Sequence, residues 1–355
     1  MQMGMRLWVH SSGVVKTSSR TWVAAKGWQA LAKLLEIRNL KAQFGSSGNL
    51  VTAVDGIDLH VDQGEILCLV GESGCGKSVT ALSVMRLIQA DGGRCASGQI
   101  LFQGEDLLCK TEREMRVIRG RAIAMVYQEP MSAINPLFTI GSQIAETIRA
   151  HKPVSRRQAL EQAERLLGLV GIPDAARRLE AYPHELSGGM CQRAMIAMAL
   201  CCEPGLLIAD EPTTALDVTI QAQILDLIKR LNRELGMAIL FITHDLGVVA
   251  ELADRVVVMY AGKVVEEGKV AEVFAAPLHP YTLGLLACIP RPGTSGRLPT
   301  IEGMVPHPGH LPEGCHFHTR CPFAQDRCRQ SEPPLVALGG QKVACFVAVD
   351  RKREA

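Results

Sequence analysis

Eight consecutive residues have the composition of a loop that binds phosphate groups. They fit the pattern G-x-x-x-x-G-K-[ST] and comprise Gly71, Glu72, Ser73, Gly74, Cys75, Gly76, Lys77 and Ser78. Glycines let backbone N–H groups approach a phosphate chain, and a helix that starts there adds the positive end of its dipole. A lysine at this position lies along the β- and γ-phosphates, and the next hydroxyl binds Mg²⁺. The pattern therefore predicts that the chain binds ATP or GTP together with Mg²⁺.

The elements that must position this loop are present on both sides of it. Ile66–Val70 is a short apolar run, typical of a buried parallel strand. Residues 78–89 have a helical pattern that stops at a Gly-Gly pair, so Val79 is expected in the first turn, beside the bound nucleotide. A strand, a glycine loop and a helix in this order favour a nucleotide site over a chance match.

Three further apolar runs end in side chains that can take part in chemistry. Gln128 follows one strand-like run, Asp210 and Glu211 end a second, and His244 follows a third. The carboxyl ends of parallel strands are where ligands bind in an α/β sheet, so these side chains are expected beside the phosphate loop. There Asp210 and Gln128 would join Ser78 around Mg²⁺, while Glu211 would polarise the attacking water.

A second glycine-containing segment immediately precedes a strongly helical run. It comprises Leu186, Ser187, Gly188, Gly189 and Met190. For the same backbone reasons as the first loop, it is a candidate phosphate cradle, although Ser-Gly-Gly is also an ordinary turn.

In this order, these motifs resemble those of the ATP-binding subunit of ABC transporters, over roughly residues 35–275. The resemblance implies that Gln128 senses the magnesium site and couples it to a membrane subunit, that Glu211 is the catalytic base, and that His244 contacts the γ-phosphate. It also implies that residues 186–190 are the signature segment, which closes over the ATP of a facing subunit.

Two more residues take roles from the same resemblance. Asp217 would cross the dimer interface, and Phe44 would stack on the adenine. Cys191 departs from the family pattern, because closely similar sequences usually carry arginine after the signature segment; the change raises a question about charge at the interface.

The fold class implied is α/β, an ABC-type cassette with a parallel core sheet, an antiparallel sheet and a helical subdomain at about 131–185. The cassette would occupy residues 35–276, and a small cysteine-bearing extension would occupy residues 277–355. Residues 1–34 hold all three tryptophans and no acidic residue, and are expected to be a poorly ordered extension.

Longer strings narrow the resemblance to importers of dipeptides, oligopeptides and nickel. They are QEPMSAINP at 128–136, EPTTALDVTIQ at 211–221 and PLHPYT at 277–282. The implied partners are a paralogous ATP-binding subunit, two membrane permeases and, indirectly, an extracytoplasmic solute-binding protein. The chain would then work at the cytoplasmic face of the plasma membrane and import peptides, with nickel or another small solute as the alternative.

The overall charge balance gives no indication of nucleic-acid binding. The formal net charge is +2, from 38 basic and 36 acidic residues. A DNA-repair ATPase with the same nucleotide motifs would need a long inserted coiled coil between Lys77 and Ser187, and the intervening segment is too short. A regulatory ABC protein without activity would have lost Lys77 or Glu211, and both are present.

Four of the twelve cysteines cluster near the carboxyl terminus with the spacing C-x5-C-x6-C-x16-C. They are Cys315, Cys321, Cys328 and Cys345. In a chain that works in the cytosol, such a cluster favours metal ligation over disulfides. Four thiolates suit either a [4Fe–4S] cluster or Zn²⁺, and free buried thiols are the third alternative. Two points favour the cluster. Pro322 follows Cys321, as at a cluster ligand, and the resemblance to importer subunits implies a [4Fe–4S] cluster at this position. The phosphate loop is expected to draw no residue from this region, so loss of Cys321 is expected to leave ATP binding at Lys77 largely unaffected.

Overall fold

The computed structural model describes residues 33–45, 50–214, 216–289 and 299–354. The N-terminal extension expected at residues 1–34 lies outside the described residues except for its last two, which already belong to the first strand. None of the helices in the described ranges combines the length and the apolar character that a membrane crossing requires.

The strands are short, apart from the first two and the fourth. Their bounds are β1 (Lys33–Phe44), β2 (Val51–Asp62), β3 (Ile66–Val70), β4 (Gly93–Phe102), β5 (Glu105–Asp106), β6 (Ile123–Val126), β7 (Leu206–Asp210), β8 (Ala238–Thr243), β9 (Arg255–Tyr260), β10 (Lys263–Lys269), β11 (Val336–Leu338) and β12 (Gln341–Val343).

The helices follow the phosphate loop, fill the middle of the chain and recur near its end. Their bounds are α1 (Lys77–Val84), α2 (Glu112–Ile118), α3 (Pro130–Ala133), α4 (Ile140–His151), α5 (Arg156–Leu169), α6 (Ala175–Arg178), α7 (Gly188–Leu200), α8 (Val218–Leu235), α9 (Leu246–Leu252), α10 (Val270–Ala275), α11 (Pro280–Ala287), α12 (Asp326–Gln330) and α13 (Phe346–Glu354).

The core is a mixed sheet with the strand order β11-β12-β10-β9-β3-β8-β7-β6. Strands β9, β3, β8, β7 and β6 run parallel, which brings their carboxyl ends to one edge. Strand β3 lies in the middle, and all of its residues are buried. Continuous apolar strands of this kind form because both faces of a parallel sheet are covered.

Each face of the core sheet has its own cover. Leu67 and Leu69 of β3 pack in a cluster with β1, β2 and α1. Cys68 and Val70 point the opposite way, into a cluster formed with α4, α5, α7 and α8. The cover on the first side includes an antiparallel sheet with the order β2-β1-β4-β5, so the α/β cassette architecture expected from the sequence is confirmed.

The helix after the phosphate loop is shorter than the sequence predicts. It ends at Val84 rather than near residue 89, because Arg86 adopts a left-handed conformation with φ 50°. The N–H of Leu87 donates to the carbonyl of Leu82 at 2.8 Å, and the N–H of Arg86 donates to that of Ser83 at 3.0 Å. This is the Schellman arrangement that ends helices, here with arginine where glycine is usual.

The C-terminal extension is continuous with the core sheet. Strand β12 pairs antiparallel with β10 through Glu266 opposite Val343 and Glu267 opposite Lys342, and β11 completes a hairpin. The extension therefore adds two strands to the edge of the core sheet and is fixed relative to it.

A buried ionic network stabilises this edge. The Arg255 guanidinium donates to both carboxylate oxygens of Glu65, at 2.8 and 3.1 Å, and to the carbonyl of His60 at 2.6 Å. It also pairs with Glu267, whose other carboxylate oxygen accepts from Lys342 of β12 at 3.1 Å. One arginine of β9 thus connects β2, the residue that precedes β3, and β10, and through Glu267 the extension.

We expect Arg255→Met to reduce the free energy of unfolding by about 3 kcal/mol, because it leaves two largely buried carboxylates without their main partner. Urea denaturation followed by circular dichroism measures the loss. Arg113→Met, on an exposed position of α2, is the control and is expected to change stability by less than about 0.5 kcal/mol. Equal stability of the two variants would contradict the role given to Arg255.

Candidate nucleotide-binding site

The phosphate loop connects β3 to α1 and has a backbone that only glycine tolerates at two of its positions. Gly71 has φ 152° and Gly76 has φ 103°. A Cβ on Gly71 would lie 2.2 Å from the carbonyl oxygen of Met259, and one on Gly76 would lie 2.6 Å from that of Ala53. The main chain at Met259 and at Ala53 therefore packs directly against the loop and fixes its path.

The lysine of the loop is buried and held by main-chain carbonyls. Lys77 is 5% exposed. Its Nζ donates to the carbonyl oxygens of Gly71 at 2.8 Å and of Glu72 at 3.1 Å. These bonds satisfy a buried ammonium group and keep it inside the curve of the loop, where a phosphate chain would replace the carbonyls as its partner.

Oxygen donors suited to a hard cation lie next to the lysine. The hydroxyl of Ser78 donates to Asp210 Oδ1 at 3.1 Å. Burial raises the pKa of Asp210, and the neighbouring Glu211 charge adds to that rise. A hydroxyl beside a nearly buried carboxylate is an arrangement of oxygen ligands that fits Mg²⁺.

Glu211 is at the centre of a second set of contacts. Its Oε2 accepts from the Thr214 hydroxyl at 2.9 Å and the Gln128 amide at 3.4 Å, and lies 3.2 Å from His244 Nδ1. The backbone of Glu211 is left-handed, with φ 45°, and its N–H donates to Ile242 at 3.0 Å. This turn aims the carboxylate away from the sheet, toward the neighbouring strand ends.

A single cavity of about 720 Å³ contains both sets of residues. Its described lining includes the phosphate loop from Gly71 to Ser78 apart from Cys75, together with Val79, Gln128, Glu211 and His244. Asp210 reaches it through its bond to Ser78. Thr214 also lines the cavity; sequence reasoning quoted it within the EPTTALD string but gave it no role.

The signature segment lies elsewhere in the same chain. Ser187 caps α7 by accepting from the Met190 N–H, and both Ser187 and Gly188 are exposed. A Cβ on Gly189 would lie 2.7 Å from Ile220 of α8, so the segment packs closely on the helix that Asp217 caps. Residues 186–190 and Asp217 are absent from the described lining of the cavity that holds Lys77.

Comparison with known proteins identifies the family. Residues 54–214 match the ABC transporter family, and residues 265–328 match the C-terminal region of oligopeptide/dipeptide transporters. A putative peptide import ATP-binding protein of Brucella melitensis is 55% identical over 317 residues, which is 86% of this chain and 94% of the relative. The chain belongs to the ABC transporter family.

Further relatives and solved structures agree with this assignment. The oligopeptide transport ATP-binding protein AppD of Bacillus subtilis is 50% identical over 319 residues, which is 89% of this chain and 97% of the relative. The ATP-binding cassette MJ0796, in a dimeric post-hydrolysis state bound to ADP and Pi, superimposes with a TM-score of 0.60 at 26% identity, over 66% of this chain and 98% of that one. The cbiO1 protein of Clostridium perfringens gives 0.59 at 26% identity, over 69% and 92%.

Two residues singled out in the sequence lie apart from the ABC nucleotide cavity. Phe44 ends β1 opposite Gly93, is partly buried and does not line the cavity, so its contact with adenine stays a prediction. Cys191 of α7 is fully buried, and its thiol contacts the carbonyl of Pro183 at 3.4 Å. The side chain that replaces the usual arginine therefore points into the core and presents no group to a facing subunit.

The phosphate loop does receive side chains from the C-terminal extension, contrary to the expectation. The Arg320 guanidinium pairs with the Glu72 carboxylate at 2.9 Å, and the Tyr281 hydroxyl accepts from the Glu72 N–H at 2.8 Å. Sequence reasoning missed both residues, although Tyr281 stands in the quoted PLHPYT string. Glu72 therefore contacts the extension through its backbone and its side chain.

All four clustered cysteines line one small cavity, of about 10 Å³. Burial raises the pKa of the Cys315 thiol to about 11, and the thiols of Cys328, Cys345 and Cys321 add to the rise. The structure thus brings together the residues that the spacing grouped. Among the described residues, however, no set of three or more His, Cys, Asp or Glu side chains is already arranged to hold a metal ion.

We expect Gly76→Ala to weaken MgATP binding by about a hundredfold, because a non-glycine residue at this φ is strained and its Cβ meets the carbonyl of Ala53. Titration calorimetry on the full-length chain measures the affinity. Gly168→Ala is the matched control, since Gly168 lies in α5 with open space around it. Wild-type affinity of Gly76→Ala would show that the loop does not depend on this close contact.

Proposed function

We propose that the chain is the ATP-hydrolysing subunit of an ABC importer for dipeptides or oligopeptides. The observation that carries the proposal is the combination of the Lys77–Glu211 cavity with the oligopeptide/dipeptide transporter match at 265–328. The names of the Brucella and Bacillus relatives, which specify peptide import and oligopeptide transport, support the same substrate class.

The residues of the cavity divide the work of hydrolysis among them. Lys77 and the N–H groups of the phosphate loop hold the phosphates, and Ser78, Asp210 and Gln128 supply oxygen ligands for Mg²⁺, which neutralises phosphate charge when bound. Glu211 accepts a proton from the attacking water. His244, beside Glu211, is placed to contact the γ-phosphate, and its contact orients the carboxylate.

Hydrolysis requires a facing subunit. Ser187 and Gly188 of the signature segment are exposed, and the segment lies outside the described lining of the cavity in its own chain. Its glycines begin α7, whose first-turn backbone N–H groups can bind a phosphate. A second ATP-binding subunit placed face to face would bring its signature segment over Lys77, and Asp217 of each subunit would lie near the interface. We take the partner to be a paralogous ATP-binding subunit; the dimeric state of MJ0796 supports the arrangement.

An exposed apolar patch next to Gln128 suits contact with the membrane permeases. Tyr127, Met131, Leu137 and Phe138 are between 39% and 77% exposed, around the loop that begins the helical subdomain. Two permease subunits would bind this patch through cytoplasmic helices, which would place the chain at the cytoplasmic face of the plasma membrane. Gln128 then connects the permease contact to the Glu211 carboxylate. An extracytoplasmic solute-binding protein would deliver the peptide.

Glu211→Gln is expected to retain ATP and to lower turnover by roughly 10²–10⁴-fold, the usual cost of removing an acid/base group. The assembled importer in proteoliposomes, with radiolabelled di- and oligopeptides, measures ATP hydrolysis and uptake together. Glu251→Gln, an exposed carboxylate of α9, is the control.

Two results would contradict parts of this proposal. Near wild-type hydrolysis by Glu211→Gln would remove Glu211 from the base role. Uptake of nickel without uptake of any peptide would replace the substrate class while leaving the ATPase assignment unchanged.

We further propose that Cys315, Cys321, Cys328 and Cys345 hold a [4Fe–4S] cluster, with Zn²⁺ as the alternative. Their convergence on one cavity and the chemistry of four thiolates support the proposal. The cavity has room for little more than one small ion, so the thiols must turn outward to accept a cluster. Cys315 also lines a second cavity of about 410 Å³, which gives the site an access route.

The cofactor's role would be structural. When bound, it would crosslink α12, the start of α13 and the turns before them, and deprotonation of the thiols would couple its binding to the folding of residues 305–350. Burial raises the pKa of the Cys315, Cys321 and Cys345 thiols, so binding must displace protons from them.

Cys321→Ser is expected to lose iron and sulfide and to expose the extension to proteolysis. Iron and sulfide analysis, visible absorption and limited trypsin digestion of anaerobically purified protein measure the effect. Cys288→Ser, a half-buried cysteine at the end of α11, serves as the control. Stoichiometric zinc without iron would assign a zinc site, and four alkylatable thiols in fresh protein would exclude both.

A further inference from the structure

One arginine of the C-terminal extension, Arg320, pairs with an acidic residue of the phosphate loop. The Arg320 side chain is 4% exposed. Its Nη1 donates to Glu72 Oε1 at 2.9 Å, and Nη1 and Nη2 both lie 3.3 Å from Oε2, a two-pronged pairing. Its Nε donates to the carbonyl of Glu302 at 2.9 Å, and Nη2 to that of Ile301 at 3.3 Å. The carbonyls of the extension therefore hold the guanidinium in position independently of its pairing with the phosphate loop.

The backbone of Glu72 is held from the same direction. The Tyr281 hydroxyl accepts a hydrogen bond from the Glu72 N–H at 2.8 Å, and Tyr281 is fully buried. The ring of Tyr260 packs edge-on against that of Tyr281 with 4.8 Å between centroids, and the Arg320 guanidinium lies 5.7 Å from the Tyr260 ring. Tyr260, Tyr281 and Arg320 thus form one packed unit, which fixes both the side chain and the main chain of Glu72.

Glu72 places a negative charge in a cavity that is expected to bind negatively charged phosphates. It lines the cavity that holds Lys77, and its carboxylate side chain is 31% exposed. ATP brings several negative charges into this cavity, and an unpaired carboxylate there would repel them. Pairing with Arg320 neutralises Glu72 and turns it toward the extension.

We propose that Arg320 is a positioning residue for ATP, which holds the Glu72 carboxylate away from the phosphates while Tyr281 fixes the Glu72 backbone. The proposal rests on the proposed function in one respect, that the Lys77 cavity binds ATP. It makes the extension a working part of the nucleotide site. Because Phe317, between Cys315 and Cys321, packs edge-on against Tyr260 at 5.1 Å, the cysteine site and the phosphate loop share one packed unit.

A double-mutant cycle on the full-length chain tests the proposal. The variants are Arg320→Met, Glu72→Gln and the pair, and titration calorimetry with MgATP gives Kd. Arg320→Met is expected to raise Kd about tenfold, because it leaves a charged carboxylate facing the phosphates. In the Glu72→Gln background the same change is expected to have less than about a twofold effect, because the carboxylate is gone. Arg320→Lys, which keeps the charge, is expected to recover most of the lost affinity.

Two further variants complete the test. Arg329→Met, an exposed arginine of the same extension, is the matched control and is expected to bind as wild type. Tyr281→Phe deletes only the hydroxyl that accepts from Glu72, and is expected to raise Kd about threefold; it tests the loop contact even where Arg320→Met does not fold.

The outcomes separate this proposal from the proposed function. An unchanged Kd in both Arg320→Met and Tyr281→Phe would overturn it, as would equal weakening by Arg320→Met in both backgrounds, which indicates a purely structural role. Failure of the wild-type chain to bind MgATP would instead overturn the proposed function.

Discussion

The close approach of main chain to the phosphate loop is the constraint on which the rest of the structure depends. Gly71 lies against the Met259 carbonyl of β9, and Gly76 lies against the Ala53 carbonyl of β2. The loop keeps its shape only if the core sheet and the antiparallel sheet hold those two carbonyls in place. The burial of β3 between two apolar clusters fixes that relation, so packing far from the nucleotide determines the geometry at the phosphates.

The side chains proposed for catalysis are positioned by the same sheet. Parallel strands end at one edge, so Glu211 and His244 meet because β7 and β8 are neighbours in register. The sequence predicts this part well, since each strand is a continuous apolar run that stops at a polar residue. The Glu211 carboxylate contacts Gln128, Thr214 and His244 because the left-handed backbone of Glu211 makes a local turn at the end of β7.

The features that sequence reasoning missed depend on contacts distant along the chain. Arg86 ends α1 in a conformation usual for glycine, and its guanidinium is held by the carbonyls of Leu107 and Lys110. The three-residue strand β12 forms because β10 offers an edge, and no periodicity marks so short a segment. The Glu72–Arg320 pair joins residues 248 positions apart, so only the folded chain reveals it.

That pair also explains why an acidic residue is tolerated in a loop that binds anions. An isolated carboxylate beside Lys77 would compete with phosphate for the ammonium group, yet Lys77 contacts main-chain carbonyls and Glu72 turns to Arg320. The arginine is itself held by carbonyls of residues 301 and 302, so its position depends on the folding of the extension. On the proposed role of Arg320, charge at the nucleotide site depends on the C-terminal extension, and a change in the order of that segment would alter the affinity of the loop for phosphate.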